Sequence, residues 1–243
     1  MKQAMIFAAG LGTRLKPLTD HTPKALIPVD GQPLLYHVIE KLKRAGVERI
    51  VVNVHHFADQ IKDYLSQHSF GVEILISDES EHLLNTGGGV KHAQKLFESG
   101  SPVLIHNVDI LSNAALEPLY EEAQMADAVL LVSERVTKRY LLFNEEMRLV
   151  GWTNIDSGEV KSPYPDLDVA ACHRLAFSGI HIVGANVMKE MDAWPDEFSI
   201  TDFYIHSCDK LRIKGVASAD LRLMDVGKLN TLHEASGFLQ SIQ

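Results

Sequence analysis

Glycines and cations occur together in the stretch 7–29, FAAGLGTRLKPLTDHTPKALIPV. Gly10 and Gly12 leave room for backbone amides to approach an anion closely. Arg14 adds a planar guanidinium fork and Lys24 a compact ammonium, so the two cations can neutralise several phosphate oxygens. The combination favours a loop that binds a triphosphate. The glycines taken alone fit a turn flanked by solvated charges equally well.

Two common nucleotide-binding loops do not match this stretch. A dinucleotide-binding loop has a third glycine and runs directly into a helix. Here Leu15 stands at the third position, and Pro17 and Pro23 lack amide donors that a helix needs. The next strand-like run ends near Asn53 without the acidic residue that binds ribose. A P-loop is excluded as well, because Leu15 stands where its second glycine belongs.

Two aspartates come at the ends of apolar runs, Asp109 after PVLIHNV and Asp225 after LRLM. Each alone is typical of a residue that caps the start of a helix. Mg²⁺ is usually held by one or two carboxylates together with phosphates and water. Beside a triphosphate loop, the two aspartates therefore predict a magnesium site.

Three consecutive glycines, 87–89, open a predicted helix directly after Thr86. A flexible turn is one interpretation of them. We expect instead that a nucleobase lies flat on this bare backbone, with a hydrogen bond from Thr86. The backbone of Ala8, Ala9 and Gly10 would supply further amides and carbonyls to the base.

Other chemistries find little support in the sequence. The twelve histidines are scattered without the spacing of zinc ligands. The serine motif of acyl-transfer enzymes, G-x-S-x-G, does not occur. Cys172 and Cys208 are the only cysteines, so no disulfide framework is expected.

The complete loop pattern, A-A-G-x-G-T-R followed by T-P-K-x-L-x-P-V, resembles the sugar-1-phosphate nucleotidyltransferases, or nucleotide-sugar pyrophosphorylases. The resemblance implies that the loop wraps a nucleoside triphosphate. It implies that Arg14 and Lys24 contact the phosphates as the catalytic cations. The nucleotide-binding residues that it implies are Ala8, Ala9, Gly10, Gly12, Thr13, Thr86 and Gly87.

Four later segments resemble the same family in the family's order: LLNTGGGVKHA (83–93), HNVD (106–109), FSGIHIV (177–183) and MDVGKLNTLHEA (224–235). They imply base recognition by the first, Mg²⁺ ligands at Asp109 and Asp225, and a strand beside the sugar with Ser178 and Gly179.

The chain also departs from the family's patterns. Val108 replaces the usual glycine before the metal-binding aspartate. The Glu-Lys-Pro sugar-phosphate motif and an evident glutamine that reads a pyrimidine are absent, and so is a β-helix tail.

Strand-like and helical runs alternate through the first half. Strands are predicted over 4–9, 49–54, 72–77, 102–109 and 128–134, and helices over 33–45, 58–68, 86–98 and 113–124. This alternation predicts an α/β fold with a mixed, mainly parallel Rossmann-like sheet and helices on both faces. The resemblance implies the nucleotide-diphospho-sugar transferase fold.

The second half departs from that rhythm. A hairpin is expected over 140–154, a surface insertion over 160–174, a strand over 176–183, a short strand over 219–227 and a closing helix over 228–239. We expect the hairpin and the insertion to shape the sugar pocket, although the sequence does not identify the sugar.

Composition limits the partners. The formal net charge is −9 and no block of Lys or Arg occurs, so nucleic acid is not an expected partner. No apolar run approaches the roughly 20 residues of a membrane span. Because the chain also begins without a charged leader, we expect a cytoplasmic protein. Residues 1–243 are expected to form one domain, as a monomer or a homo-oligomer.

The resulting hypothesis is transfer of a nucleoside monophosphate from an NTP to a sugar 1-phosphate, with release of pyrophosphate. The acceptor oxygen is anionic at pH 7, so no general base is needed. UTP is favoured weakly, because the segment 83–89 holds no acidic residue to accept the N–H groups of guanine.

Within the family, the compact length and L-x-T-G-G-G most resemble the N-acetylmuramate-1-phosphate uridylyltransferases. Mannose- or heptose-1-phosphate guanylyltransferases are the alternative. A non-catalytic nucleotide-sugar-binding regulatory protein would be expected to lose one of Arg14, Lys24, Asp109 and Asp225. All four are present, which favours the enzyme.

Overall fold

Strands and helices alternate through the first half of the chain in the computed structural model, which describes residues 1–242. The strands are β1 (Gln3–Phe7), β2 (Pro28–Val29), β3 (Gln32–Pro33), β4 (Arg49–Val54), β5 (Glu73–Asp78), β6 (Val103–Asn107), β7 (Ile110–Ser112), β8 (Ala128–Ser133), β9 (Arg139–Phe143), β10 (Leu149–Asn154), β11 (Val160–Lys161), β12 (His173–Val183), β13 (Ile213–Ala217) and β14 (Leu223–Asp225). The helices are α1 (Leu34–Arg44), α2 (Ala58–Gln67), α3 (Asn85–Ala93), α4 (Glu117–Glu122), α5 (Ala185–Met191), α6 (Ile200–Ser207) and α7 (Leu229–Ile242).

The parallel centre of the sheet runs in the order β6-β1-β4-β5. Its strands are continuous apolar runs, because both faces of the sheet are covered. In β1, Met5 and Ile6 are both fully buried although successive side chains of a strand point to opposite faces. The carboxyl ends of these strands meet along one edge of the sheet.

Helices cover both faces of this centre. Ile6 belongs to a core with the apolar stripes of α1 and α2, together with residues of α4 and α7. Met5 belongs to a second core with residues of α3, α5 and α6. The predicted fold class is thereby confirmed, with a mixed sheet whose centre is parallel and whose two faces carry helices.

The second half of the sheet is mostly antiparallel. The long strand β12 runs antiparallel to β6, β8 and β9, and β9, β10 and β11 form an antiparallel branch. β13 pairs with β8 in parallel. The predicted hairpin 140–154 corresponds to β9 and β10, and the predicted insertion 160–174 contains β11, a short 3₁₀ turn at Val169–Ala171 and the first two residues of β12.

Some element bounds differ from the predicted ones. The helix predicted over 113–124 begins only at Glu117, and Pro118 lies in its first turn, where a missing amide is tolerated. The strand predicted over 219–227 shortens to β14, which pairs only with β7. No helix within residues 1–242 is long and apolar enough to cross a membrane.

Candidate functional site

A cavity of about 360 Å³ opens beyond the carboxyl ends of the parallel strands, where open α/β sheets bind their ligands. Phe7 of β1 pairs with Asn53 of β4 on one side and with Asn107 of β6 on the other, and all three line the cavity. The predicted site residues in its lining are Ala8, Ala9, Gly10, Lys24, Thr86 and Asp109. The predicted residues outside its lining are Gly12, Thr13, Arg14, Gly87, Ser178, Gly179 and Asp225.

The loop after β1 has the irregular form that its prolines predict. It continues through 3₁₀ turns at Thr13–Leu15, Leu18–Asp20 and Lys24–Leu26 and contains no α-helix. Gly12 has a left-handed backbone, with φ of 64°, and a Cβ there would lie 2.9 Å from the Thr19 side chain. Glycine is therefore required at Gly12 by conformation and by space.

A buried asparagine that the sequence analysis did not single out holds the start of this loop. Asn53 Oδ1 accepts hydrogen bonds from the Ala8 amide at 2.7 Å and the Ala9 amide at 3.3 Å. These two amides were expected to face the base, and the structure corrects that expectation because Asn53 already satisfies them. The Ala8 and Ala9 carbonyls are the groups left for a ligand.

Asn53 also connects the loop to a second buried polar residue, Glu79, which lines the cavity. The Asn53 side-chain amide donates to Glu79 Oε1 at 2.8 Å. Burial raises the pKa of Glu79, and the hydrogen bond from Asn53 opposes that shift. A polar residue inside the apolar run RIVVNV was the one signal in the sequence that could have identified Asn53.

Residues from opposite ends of the chain meet at the mouth of the cavity. Lys24 Nζ forms a salt bridge with Asp109 Oδ2, and both side chains are largely buried. The Val226 amide donates to the Asp109 carbonyl at 2.8 Å. The pairing of β7 with β14 places Asp225 opposite Ile110, directly beside Asp109.

Arg14 reaches the same place from the exposed side of the loop. A Cβ on Gly227 would lie 2.5 Å from Asp225 Oδ1 and 3.0 Å from Arg14 Nη2, so the guanidinium lies beside that carboxylate. The structure therefore brings together all four residues that were predicted to act on phosphates or metal: Arg14, Lys24, Asp109 and Asp225.

Two carboxylates and several cations lie together in this cluster. Although Asp225 as a residue is exposed, the protein partly desolvates its carboxyl, which raises the pKa of Asp225, and the charge of Asp109 raises it further. The charges of Lys24, Arg14 and Arg135 act in the opposite direction. Asp225, whose ionisation is disfavoured by desolvation and by the charge of Asp109, forms with Asp109 a donor set suited to a cation.

Asp109 and Asp225 do not by themselves complete the coordination of a metal ion. Within residues 1–242, no group of three or more His, Cys, Asp or Glu side chains is arranged to hold a metal ion. Two carboxylates suit Mg²⁺ only where phosphates and water complete its coordination. Asp109 and Asp225 have the right chemistry for that arrangement.

The three glycines that begin α3 have a different role from the predicted one. Gly87 and Gly88 are buried, and both donate their amides to the Phe198 carbonyl, at 2.8 and 3.3 Å. A Cβ on Gly87 would overlap the Phe198 ring, and one on Gly88 would overlap the Asp196 carbonyl oxygen. The glycines let the segment 196–198 pack against the helix, and Gly87 offers no bare surface to a base.

Thr86 does line the cavity, but its hydroxyl already has a partner. The Ile200 amide donates to Thr86 Oγ1 at 3.0 Å and so fixes the start of α6 next to the start of α3.

The predicted sugar-binding pair also has a structural role. Ser178 is buried, and its hydroxyl donates to the Leu131 carbonyl at 2.6 Å. Gly179 has a φ of 75° within the register shift between β12 and β8, and a Cβ there would lie 2.6 Å from the Asn107 side chain. The hydroxyl of Ser178 is thus bonded within the sheet, and the backbone form of Gly179 lets Asn107, a cavity residue, approach closely. Sugar binding by this pair stays a prediction.

Comparisons with known proteins identify the family and the fold. A family model described as nucleotidyl transferase matches residues 3–141. The N-acetylmuramate alpha-1-phosphate uridylyltransferase of Caulobacter vibrioides is 49% identical over 111 residues, which cover 44% of this chain and 46% of that protein. The match thus spans about half the length of this curated relative.

Two other similarities extend over most of the chain. The D-glycero-alpha-D-manno-heptose 1-phosphate guanylyltransferase of Campylobacter jejuni is 26% identical over 226 residues, covering 93% of this chain and 94% of that protein. A crystal structure of a putative glucose-1-phosphate thymidylyltransferase from Bacillus anthracis matches with a TM-score of 0.82 at 19% identity and covers 100% of this chain and 97% of that one. At such low identity, the structural likeness supports the fold alone.

Proposed function

The chain belongs to the nucleotidyl transferase family, and we propose that it transfers uridylyl from UTP to N-acetylmuramate 1-phosphate, with release of pyrophosphate. One observation carries this proposal. Arg14, Lys24, Asp109 and Asp225 come from four separate segments and converge beside a cavity at the carboxyl edge of the sheet. The choice of acceptor follows the uridylyltransferase that is 49% identical over the matched segment.

The reaction needs positioning and charge neutralisation more than proton transfer. A phosphate oxygen of the acceptor attacks the α-phosphorus of UTP, and the bond from that phosphorus to the bridging oxygen of pyrophosphate breaks. The attacking oxygen is already anionic at neutral pH, so no side chain has to remove a proton. Catalysis then depends on holding the two phosphates in line and on stabilising the developing charge.

The cations that provide this stabilisation are held in different ways. Lys24 is held by Asp109 in a largely buried salt bridge, which keeps the ammonium at the cavity wall before a substrate arrives. Arg14 lies on the exposed side of the loop beside Asp225. In this proposal Lys24 contacts the triphosphate inside the cavity, and Arg14 contacts the departing pyrophosphate at its mouth.

Asp109 and Asp225 are the proposed ligands of Mg²⁺, together with substrate phosphates. When bound, the ion supplies positive charge that neutralises phosphate oxygens and helps to orient them. The position of the two aspartates supports this assignment, because the pairing of β7 with β14 places the two carboxylates side by side and Mg²⁺ takes oxygen ligands. The expected cytoplasmic location and the monomeric or homo-oligomeric state stay predictions.

The base is proposed to bind between the Ala8–Gly10 backbone and Thr86, above Asn53 and Glu79. Uracil has one N–H group in its ring, and the Ala8 and Ala9 carbonyls can accept a hydrogen bond from it. Asn53 holds this backbone in place through two amides, which makes it the positioning residue of the base site.

Guanylyl transfer is a second candidate, because one observation favours it. Guanine presents two adjacent N–H groups that suit a carboxylate, and Glu79 lines the cavity although no acidic residue lies within 83–89. Glu79 Oε1 is already bonded to Asn53, however, so that only Oε2, which is buried and has no hydrogen-bond partner within residues 1–242, is left for the two N–H groups. The acidic residue was missed in the sequence because it lies four positions before the segment that was considered.

The experiment that tests the proposal is a pyrophosphate-release assay with each of the four NTPs and with N-acetylmuramate, N-acetylglucosamine, mannose and heptose 1-phosphates. We expect the highest kcat/KM with UTP and N-acetylmuramate 1-phosphate. A higher value with GTP and a heptose or mannose phosphate would establish the guanylyltransferase instead. Absence of turnover with every pair, in a protein that still binds an NTP, would favour a regulatory role.

A further inference from the structure

A second cavity, of about 530 Å³, lies beside the antiparallel branch of the sheet. One wall is formed by β9, β10 and β11, and the opposite wall by the start of α6. Arg135, which follows β8, closes one end of the cavity, and its guanidinium donates to the Phe177 carbonyl at 2.9 Å.

The strand wall presents two cations and an aromatic ring to this space. Arg139 pairs with Asn154 across the hairpin, and Leu141 pairs with Trp152, which in turn pairs with Lys161 of β11. Residues opposite each other on neighbouring strands, and residues two apart on one strand, share a face of the sheet. These five residues therefore share one face, and all of them line the cavity.

Two acidic residues, Glu159 and Asp202, also line this cavity, and both lie beside Lys161 rather than beside the arginines. Within residues 1–242, neither Arg135 nor Arg139 lies within 4.0 Å of a carboxylate. Lys161 has two carboxylates nearby, Asp202 at 3.6 Å and Glu159 at 3.8 Å, and its ammonium lies 5.3 Å from the centre of the Trp152 ring. Ion pairs that are this long and this exposed contribute little free energy. The wall can therefore accept an anion.

Arg135 connects the second cavity to the first. It lines the cavity and donates to the Phe177 carbonyl, and Gly179, two residues further along β12, lies against Asn107 of the first cavity. A ligand of the second cavity that carries a phosphate at one end can therefore place that phosphate near Arg135, on the side of the first cavity. Its other end would then face Arg139 and Lys161.

We infer that the second cavity binds the acceptor sugar and that Arg139 and Lys161 bind a carboxylate carried by that sugar. This inference rests on the proposed function for the identity of the acceptor. N-acetylmuramate carries a lactyl carboxylate in addition to its 1-phosphate, and its ring is of a size to lie against Trp152. A neutral sugar offers no negative charge to Arg139 and Lys161, so these two cations favour binding of the acid sugar.

The test compares two acceptors that differ by the acid group, N-acetylmuramate 1-phosphate and N-acetylglucosamine 1-phosphate. In Arg139→Met and in Lys161→Met, we expect kcat/KM for the acid acceptor to fall about tenfold to a hundredfold, the range for losing a charge-assisted hydrogen bond. The value for the neutral acceptor should change less than about twofold, within the range of a surface substitution. Arg139→Lys should recover part of the preference, because the charge remains.

Lys138→Met is the matched control. Lys138 is exposed, forms a salt bridge with Asp156 at 2.5 Å and does not line the cavity, so its substitution should leave both acceptors unaffected. Equal losses on both acceptors in Arg139→Met and Lys161→Met, or no preference in the wild type, would overturn the inference.

Calorimetric binding of the same two sugar phosphates separates this inference from the proposed function. If no NTP is turned over but Arg139→Met weakens binding of the acid sugar phosphate alone, the inference stands and the proposed catalysis fails. If turnover is normal and binding of the two sugar phosphates is equal, the proposed catalysis stands and the inference fails.

Discussion

The two cavities differ in what holds their walls. The first cavity, which is proposed to bind the nucleotide, is built at the ends of buried parallel strands, and its loop is fixed by Asn53, which is almost completely buried. The second cavity is lined by long side chains on an exposed antiparallel branch, with Arg139 and Lys161 open to solvent. Buried polar groups without partners are costly, so the first cavity can change little without loss of stability, whereas the second can vary freely.

In the proposed reaction, this contrast separates phosphate transfer at the first cavity from selection of an acceptor at the second. Substitutions at the first cavity should affect turnover, metal dependence or stability with every acceptor. Substitutions at the second should change only which acceptor is used. Four measurements test this separation, beginning with the largest expected effect.

Arg14→Ala should lower kcat/KM about 10²- to 10³-fold with acid and neutral acceptors alike, because a charge that stabilises the transition state is lost. The free energy of unfolding should hardly change, since Arg14 lies in an exposed loop. Arg212→Ala is the matched control, because Arg212 is also exposed but lies near Asp127, away from both cavities. Steady-state kinetics of the two variants measure this difference. An unchanged kcat/KM in Arg14→Ala would show that Arg14 does not stabilise the transition state.

Asp109→Asn and Asp225→Asn should each raise the Mg²⁺ concentration for half-maximal rate at least about tenfold, since loss of even an outer-shell partner of a metal costs that much. The double variant should be no worse than the more severe single one, because residues that serve one ion act as a unit. Magnesium titrations of the three variants measure this. Wild-type titration curves for both single variants would contradict the shared site.

Asn53→Ala should lower the free energy of unfolding by about 1–3 kcal/mol, because the Ala8 and Ala9 amides and Glu79 lose their buried partner. Lys161→Met in the second cavity should change it by less than about 0.5 kcal/mol. Urea unfolding of the two variants compares the cavities directly. Similar stabilities for both would show that the first cavity is not held by its buried polar residues.

Asp225→Asn should make the protein more stable at neutral pH, although less active. Because the pKa of Asp225 is higher in the folded state than its ordinary value, its ionisation weakens the folded state as pH rises through that window. The amide removes this penalty, so the gain should be present at pH 7.5 and disappear as pH falls to the ordinary aspartate pKa. The effect is expected to be small and is measured by thermal unfolding without Mg²⁺. A less stable variant at neutral pH would show that the neighbouring cations favour ionisation of Asp225 more than desolvation and Asp109 oppose it.

Several features of the fold and site could be predicted from short stretches of sequence. The apolar runs predicted the parallel strands, and the glycines and prolines of 7–29 predicted an irregular loop without an α-helix. The short strands β7 and β13 were missed, because a few residues carry too little periodicity. For the same reason the strand predicted over 219–227 was too long, since β14 spans only Leu223–Asp225.

The sequence by itself determined the chemistry of the nucleotide loop, because backbone freedom at Gly12 and positive charge at Arg14 and Lys24 are properties of single residues and their neighbours. Only the tertiary structure decided which distant residues lie beside this loop. The β7–β14 pairing placed Asp225 beside Asp109, and Asn53 took up amides that had been assigned to the base.

The glycines 87–89 show the reason most directly. Their spacing fits either an exposed surface for a base or a close contact between elements, and the two differ only in what packs against them. Phe198 and the backbone of Asp196 lie there, more than a hundred residues along the chain. Local sequence encodes conformation and charge, whereas the packing of elements decides which surfaces remain free for a ligand.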